Sequence, residues 1–135
     1  MKWGRTACLL TLSAVAGCSF GGDDESQPVS GAARQVSAVV ERLEKAIGAR
    51  DWQTVCDDLL TSDARRRAGG SGCPRLLQSD AADVRNPRID VISIVLRKGG
   101  AQARVRSRAK GQQALTDVIE LRRVGDGYRI ESLSG

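Results

Sequence analysis

The spacing of apolar residues changes once along the chain, and the change divides helices from strands. From Arg34 onward, Val36, Val39, Val40, Leu43 and Ile47 fall on one helical stripe, which predicts an amphipathic helix. Gly48 sits near its end, and Asp51 is a good N-cap for a second helix, because a short acidic side chain accepts from the free amides of a first turn. In that helix Trp52, Val55, Cys56, Leu59 and Leu60 repeat the stripe. Thr61 or Ser62 caps a short third segment, Asp63 to Ala68, which Gly69-Gly70-Ser71-Gly72 ends. A further short helix is expected around Pro74 to Ser79.

After Pro87 the period becomes two. Residues 88–97 are rich in β-branched side chains and read as a strand. Lys98-Gly99-Gly100 turns the chain, and Ala101, Ala103, Val105 and Ser107 then alternate with Gln102, Arg104, Arg106 and Arg108. Lys110-Gly111-Gln112 turns it again, Thr116 to Val124 form a third strand, and Gly125-Asp126-Gly127 leads into a fourth, Tyr128 to Leu133. Helices followed by a meander predict an α+β domain: N-terminal helices packed on a curved four-stranded antiparallel sheet.

The segment before the first helix reads as an address. Residues 1–17 carry Lys2 and Arg5, an apolar run from Ala7 to Leu12, and small residues up to Gly17, the layout of an export signal. Val15-Ala16-Gly17-Cys18 resembles the lipobox of bacterial lipoproteins. That resemblance implies that Cys18 is alkylated by a diacylglyceryl group and becomes the new N-terminus. The chain is then held on the extracytoplasmic face of the cell membrane through acylated Cys18, two acyl chains giving stable attachment where one gives marginal binding. Residues 18–33 are Gly-, Ser- and acid-rich at their start and read as a disordered tether. A flexible linker of about 15 residues reaches roughly 20–23 Å, so the folded domain, residues 34–135, stands off the headgroups.

Composition then removes several functions. The 135-residue chain is long enough for one domain and contains no His, which excludes Ser-His-Asp and Cys-His catalysis and His-ligated metal sites. Its aromatics are Trp3, Phe20, Trp52 and Tyr128, too few beyond the tether for a base-stacking platform, so nucleic acid is not an expected partner. No cofactor is expected. With Cys8 leaving in the signal and Cys18 acylated, Cys56 and Cys73 remain. An even count in an exported protein predicts a disulfide between them.

A long helix, a second helix with Trp52-x-x-x-Cys56, a Gly-rich loop bearing Cys73 and a sheet ending in Gly-Asp-Gly-Tyr-Arg-Ile-Glu-Ser-Leu together resemble a small NTF2-like (SnoaL-like, cystatin-like) domain. The likeness spans residues 34–135, and the hairpin from Leu121 to Ile130 is its most family-like piece, with Tyr128 where Trp is commoner. It implies a cone whose sheet and helices enclose a pocket. Tyr128 could line that pocket or pack against Ile130, and Trp52 is core by its spacing or a pocket wall. Asp51, Asp57, Asp58 and Asp63 crowd the second helix and its end; two of them are placed to cap, and Asp58 is the first candidate for a pocket carboxylate. The family includes isomerases with a buried carboxylate base and a Tyr-containing oxyanion hole, so a proton-transfer enzyme is the alternative to a binding module.

Arg104, Arg106 and Arg108 share one strand face, with Arg122 and Arg129 expected nearby. Such a face suits an envelope protein or an anionic polymer, or it is a solvated outer surface partly neutralised by Glu120 and Glu131. Dimerisation through the sheet is a further possibility. The loop Gly69-Gly70-Ser71-Gly72 is not a phosphate cradle, because no Lys-Ser/Thr pair follows it and it does not join a strand to a helix.

Overall fold

The structure, a computed structural model, describes residues 30–134. The expected signal peptide, Cys18 and the tether up to residue 29 lie outside the described residues. Helix α1 runs Gly31–Ala49 and starts earlier than the apolar stripe predicts. The reason is the Ser30 hydroxyl, which accepts from the Ala33 amide at 3.2 Å and caps the first turn ahead of Val36. Residues 31–33, expected in the tether, are therefore helical, and Ala32 packs against the core. At the other end Arg50, not Gly48, takes the left-handed conformation (φ 57°) and donates to the Ala46 and Ile47 carbonyls.

Helix α2, Trp52–Thr54, is capped by Asp51, whose carboxylate accepts from the Thr54 amide at 3.1 Å and from its hydroxyl at 2.7 Å. It runs into a π-helical stretch, Val55–Leu59, instead of continuing as the α-helix expected to Leu60. The Leu60 amide reaches back to the Val55 carbonyl at 3.0 Å, and Leu60 then leaves in extended conformation to bridge Ile130 in parallel. The Thr61 hydroxyl caps α3, Ser62–Arg67. A 3₁₀ turn, Gly70–Gly72, leads into α4, Cys73–Asp80.

The sheet consists of β1 (Arg88–Arg97), β2 (Gly100–Arg108), β3 (Leu115–Val124) and β4 (Gly127–Ser134), in chain order and antiparallel throughout. The ladders slip by one residue at Ile92 and again at Glu131; such bulges bend and twist a sheet, which curves this one around α1. Gly100 is required where it stands, since a Cβ there would collide with the Leu121 carbonyl oxygen.

Ala101, Ala103, Val105, Ile119, Leu121 and Ile130 fill the inner face, and Val36, Val40 and Leu43 of α1 lie over them. The small Ala101 and Ala103 side chains give the helix room to approach. Cys56 and Cys73 are both buried and form a disulfide across a sequence separation of 17 residues. It ties the π-helical stretch to α4. Within the described residues 30–134, helices and all four strands close around one buried core and a disulfide links two of the helical segments, the burial and cross-linking of a folded domain.

Candidate ligand-binding cleft

Register places Ile89, Ser107 and Leu115 side by side at one end of the inner face, with Val105 beside Asp117 and Ile119 beside Leu133. α1 does not seal this end. Between the sheet, the last turns of α1 and α4 lies an open apolar cavity of about 320 Å³, walled by Leu43, Ile47, Trp52, Leu77, Leu115 and Leu133 among others. A second cavity of about 270 Å³ adjoins it through Leu43, Ile47, Ile89 and Leu133 and runs up the sheet past Asp117. Leu115 and Leu133 are 62% and 61% exposed although their strand positions face inward. An exposed cluster of large apolar side chains rimmed by polar ones marks a binding surface.

Asp80, Arg88, Arg108, Gln112 and Gln113 edge the larger cavity, and the adjoining one holds few polar groups. Asp117 and Ser107 lie in the adjoining cavity, where the Ser107 hydroxyl donates to the Asp117 carboxylate at 2.7 Å. Arg88 and Arg108 stand at the rim of the larger cavity, but each is engaged elsewhere: Arg88 faces Glu44 at 3.7 Å and Arg108 pairs with Asp90 at 2.6 Å. Glu44 also accepts from the Ile89 amide at 2.7 Å, which fixes the start of β1 against α1. Trp52 is 7% exposed and belongs to both core and cleft wall; its indole N–H has no acceptor among the described residues.

The other candidate residues lie elsewhere. Tyr128 is buried at the opposite end of the sheet, beside Leu121 and Ile130, with the Arg123 guanidinium 5.6 Å from its ring centre. It closes that end and does not line the cleft. Asp58 is 57% exposed and faces Arg42 at 3.9 Å; it points away from the apolar stripe of its helix because Leu59 and Cys56 occupy the inner side. Asp57 pairs with Arg65 at 2.8 Å. Neither of these carboxylates lines the apolar cleft.

Arg104, Arg106 and Arg108 do share the outer sheet face and are exposed. Arg122 and Arg129 do not join them as free cations. Arg129 donates to the Asp57 and Leu60 carbonyls at 2.8 and 3.3 Å, closing the end of the π-helical stretch. Arg122 reaches Glu131 at 3.1 Å and Asp63 at 3.4 Å. Glu131 also accepts from the Thr61 hydroxyl at 2.6 Å. That hydrogen bond, with Arg67 and Arg122 beside it, holds the Glu131 carboxyl below the usual carboxylate range against the opposing effect of burial.

Asp117 is the residue that sequence reasoning passed over, and a signal for it was present. In β3 it shares parity with Ile119 and Leu121, so a carboxylate stands where the alternation calls for a hydrocarbon side chain.

A crystal structure of an NTF2-like protein of unknown function from Shewanella baltica OS155 superposes on this chain with a TM-score of 0.53. The match covers 74% of this chain and 88% of that one, at 12% identity. The fold is NTF2-like. No family profile matches the chain, and no curated protein matches it. The NTF2-like fold accounts for the order of helices and strands. What occupies that opening must be argued from its own residues.

Proposed function

We propose that this domain is a binding module of the cell envelope that holds an apolar ligand in the cleft, and that it is anchored through diacylglyceryl-Cys18. The observation that carries the reading is the cleft itself: an apolar cavity left open at one end of the core, with Leu115 and Leu133 exposed at its mouth. Keeping such residues in water costs roughly 25 cal/mol for each Å² of apolar surface, and an apolar ligand recovers that cost. The envelope location is supported by Val15-Ala16-Gly17-Cys18 and the basic and apolar residues before it.

Two measurements test the two halves. A hydrophobic fluorescent dye should bind residues 26–135 and lose binding in Leu133→Lys, which puts a charge in the mouth; unchanged binding removes the cleft reading. Metabolic labelling with a fatty acid should mark the full chain and not Cys18→Ser. Equal labelling of both removes the anchor.

The second reading, a ketosteroid-isomerase-like proton-transfer enzyme, was drawn on Tyr128 and Asp58. Neither lies in the cleft, and Asp117 is the observation that now favours it. It requires Asp117→Asn to abolish turnover of an apolar ketone substrate.

A further inference from the structure

We propose that the inner end of the cleft selects ligands made of an apolar body and a hydrogen-bond-donating head, with Asp117 receiving the head. The inference rests on the cleft reading above and adds the chemistry of the ligand.

Leu43, Ile47, Ile89 and Ile119 supply hydrocarbon on several sides of this cavity, and Asp117 is the one ionisable residue in its lining among the described residues. Ser107 and Ser134 are its other polar neighbours there. The direction of the Ser107 hydrogen bond decides what the pair offers. Because the Ser107 hydroxyl gives its hydrogen to Asp117 at 2.7 Å, its remaining lone pairs accept, and so do the carboxylate positions left over. A bare acceptor array surrounded by hydrocarbon matches an ammonium or a hydroxyl.

It repels a carboxylate or phosphate, since like charges repel and do so more strongly beside hydrocarbon walls than in open water. The rim, which carries Asp80 as well as Arg88 and Arg108, does not reverse this preference. Arg88 and Arg108 are paired with Glu44 and Asp90, so neither is an unengaged partner for an anionic head. The head that fits is a donor, either cationic or neutral. The two are separable by experiment.

The probes are decylamine, 1-decanol and decanoate, which share a chain and differ in the head. They are titrated below their micellar concentrations against residues 26–135, by calorimetry at neutral pH. Decylamine should bind at least tenfold more tightly than decanoate, with 1-decanol between them if charge adds to hydrogen bonding, or level with decylamine if donation alone matters. General surface attraction predicts the reverse order, because this segment lacks Asp23, Asp24 and Glu25 and is strongly basic. Asp117→Asn retains an acceptor for Ser107 and should reduce the amine preference to threefold or less while 1-decanol still binds.

Decanoate binding as well as decylamine to the wild-type segment overturns the proposal and leaves the apolar cleft standing. Persistence of the full amine preference in Asp117→Asn overturns it too. Failure of every probe to bind the wild-type segment removes the cleft reading and this inference together. Should Asp117→Asn not fold, shown by loss of its cooperative thermal transition, the wild-type ranking decides.

Discussion

Across β2, β3 and β4, the two ends of the inner sheet face are built from the same alternation and have opposite fates. At the hairpin end, Ala101, Leu121, Tyr128 and Ile130 are buried together with α1 lying over the sheet, and the Gln35 side chain ties that helix to the Asp126 carbonyl at 3.0 Å. At the other end, Leu115 and Leu133 hold equivalent inward positions yet remain largely in water. The difference is one of cover. α1 ends at Ala49, and the short α4 stands beyond it with a gap between. An inward-pointing apolar residue is therefore core or ligand surface according to what the helices reach. Strand pattern alone does not distinguish the two.

Truncation at each end tests this most strongly. Ile130→Ala removes a fully buried side chain from the closed end and should cost about 2–5 kcal/mol of stability. Leu133→Ala, three residues on, should change stability by no more than about 0.5 kcal/mol. Denaturant unfolding of both variants checks the contrast, and comparable losses would mean that the open end is core after all.

The disulfide belongs to the open end, because it holds α4 and with it the Leu77 wall of the cleft. Closing a loop of this size contributes about 3 kcal/mol in the chain-entropy model. Cys56→Ala with Cys73→Ala should lower the melting temperature by roughly 12 °C or more. Amide exchange should accelerate first in Cys73–Asp80, while the ladders of β2 and β3 keep most of their protection. Uniform loss of protection would show that α4 and the sheet unfold as one unit.

A smaller effect tests the seam between α3 and the closed end. Thr61 is buried, caps α3 and donates to Glu131. Thr61→Val removes both hydrogen bonds and should cost about 1–2 kcal/mol. The same contact gives a pH dependence. The Thr61 hydrogen bond, with Arg67 and Arg122, lowers the folded Glu131 pKa from its ordinary value, so its contribution is complete above the unfolded value and is lost as pH falls through the folded one. Stability should decline in the wild type as pH falls below the ordinary glutamate value of about 4.3. In Glu131→Gln this component is absent, so that variant is weaker at neutral pH and converges on the wild type in acid. Parallel curves for the two would assign the acid loss to other carboxylates.

Much of the closed end is legible in the sequence, and less of the open end. The α1 stripe from Val36 to Ile47, the Asp51 and Thr61 caps and the β2 alternation follow from local periodicity and capping chemistry, and the Cys56–Cys73 bond from parity of the remaining cysteines. The π-helical stretch is not legible, because an extra residue in one turn is set by the pull of Leu60 onto Ile130 and of Cys56 onto Cys73. Nor are the bulges at Ile92 and Glu131, which depend on neighbouring strands. Family resemblance allows Tyr128 a place in the pocket or against Ile130. Burial puts it at the sealed end, while Asp117, on the inward parity of β3, sits in the cavity.

The outer sheet face gives the smallest expected change in stability. Arg104 stands between Ser93 and Val118, and Arg106 between Asp90 and Thr116, in the cross-strand register; neither makes an ion pair among the described residues, whereas Arg108 is held by Asp90. Exposed side chains of this kind affect stability by about 0.5 kcal/mol or less, so Arg104→Glu with Arg106→Glu should unfold within that margin of the wild type. Binding to an anionic polymer or an acidic envelope partner is a separate quantity. If these two cations carry it, it should weaken with added salt and vanish in the double variant, with dye binding in the cleft untouched. Retention of salt-sensitive binding after both charges are reversed would leave the outer face a solvated surface and return attention to the open end.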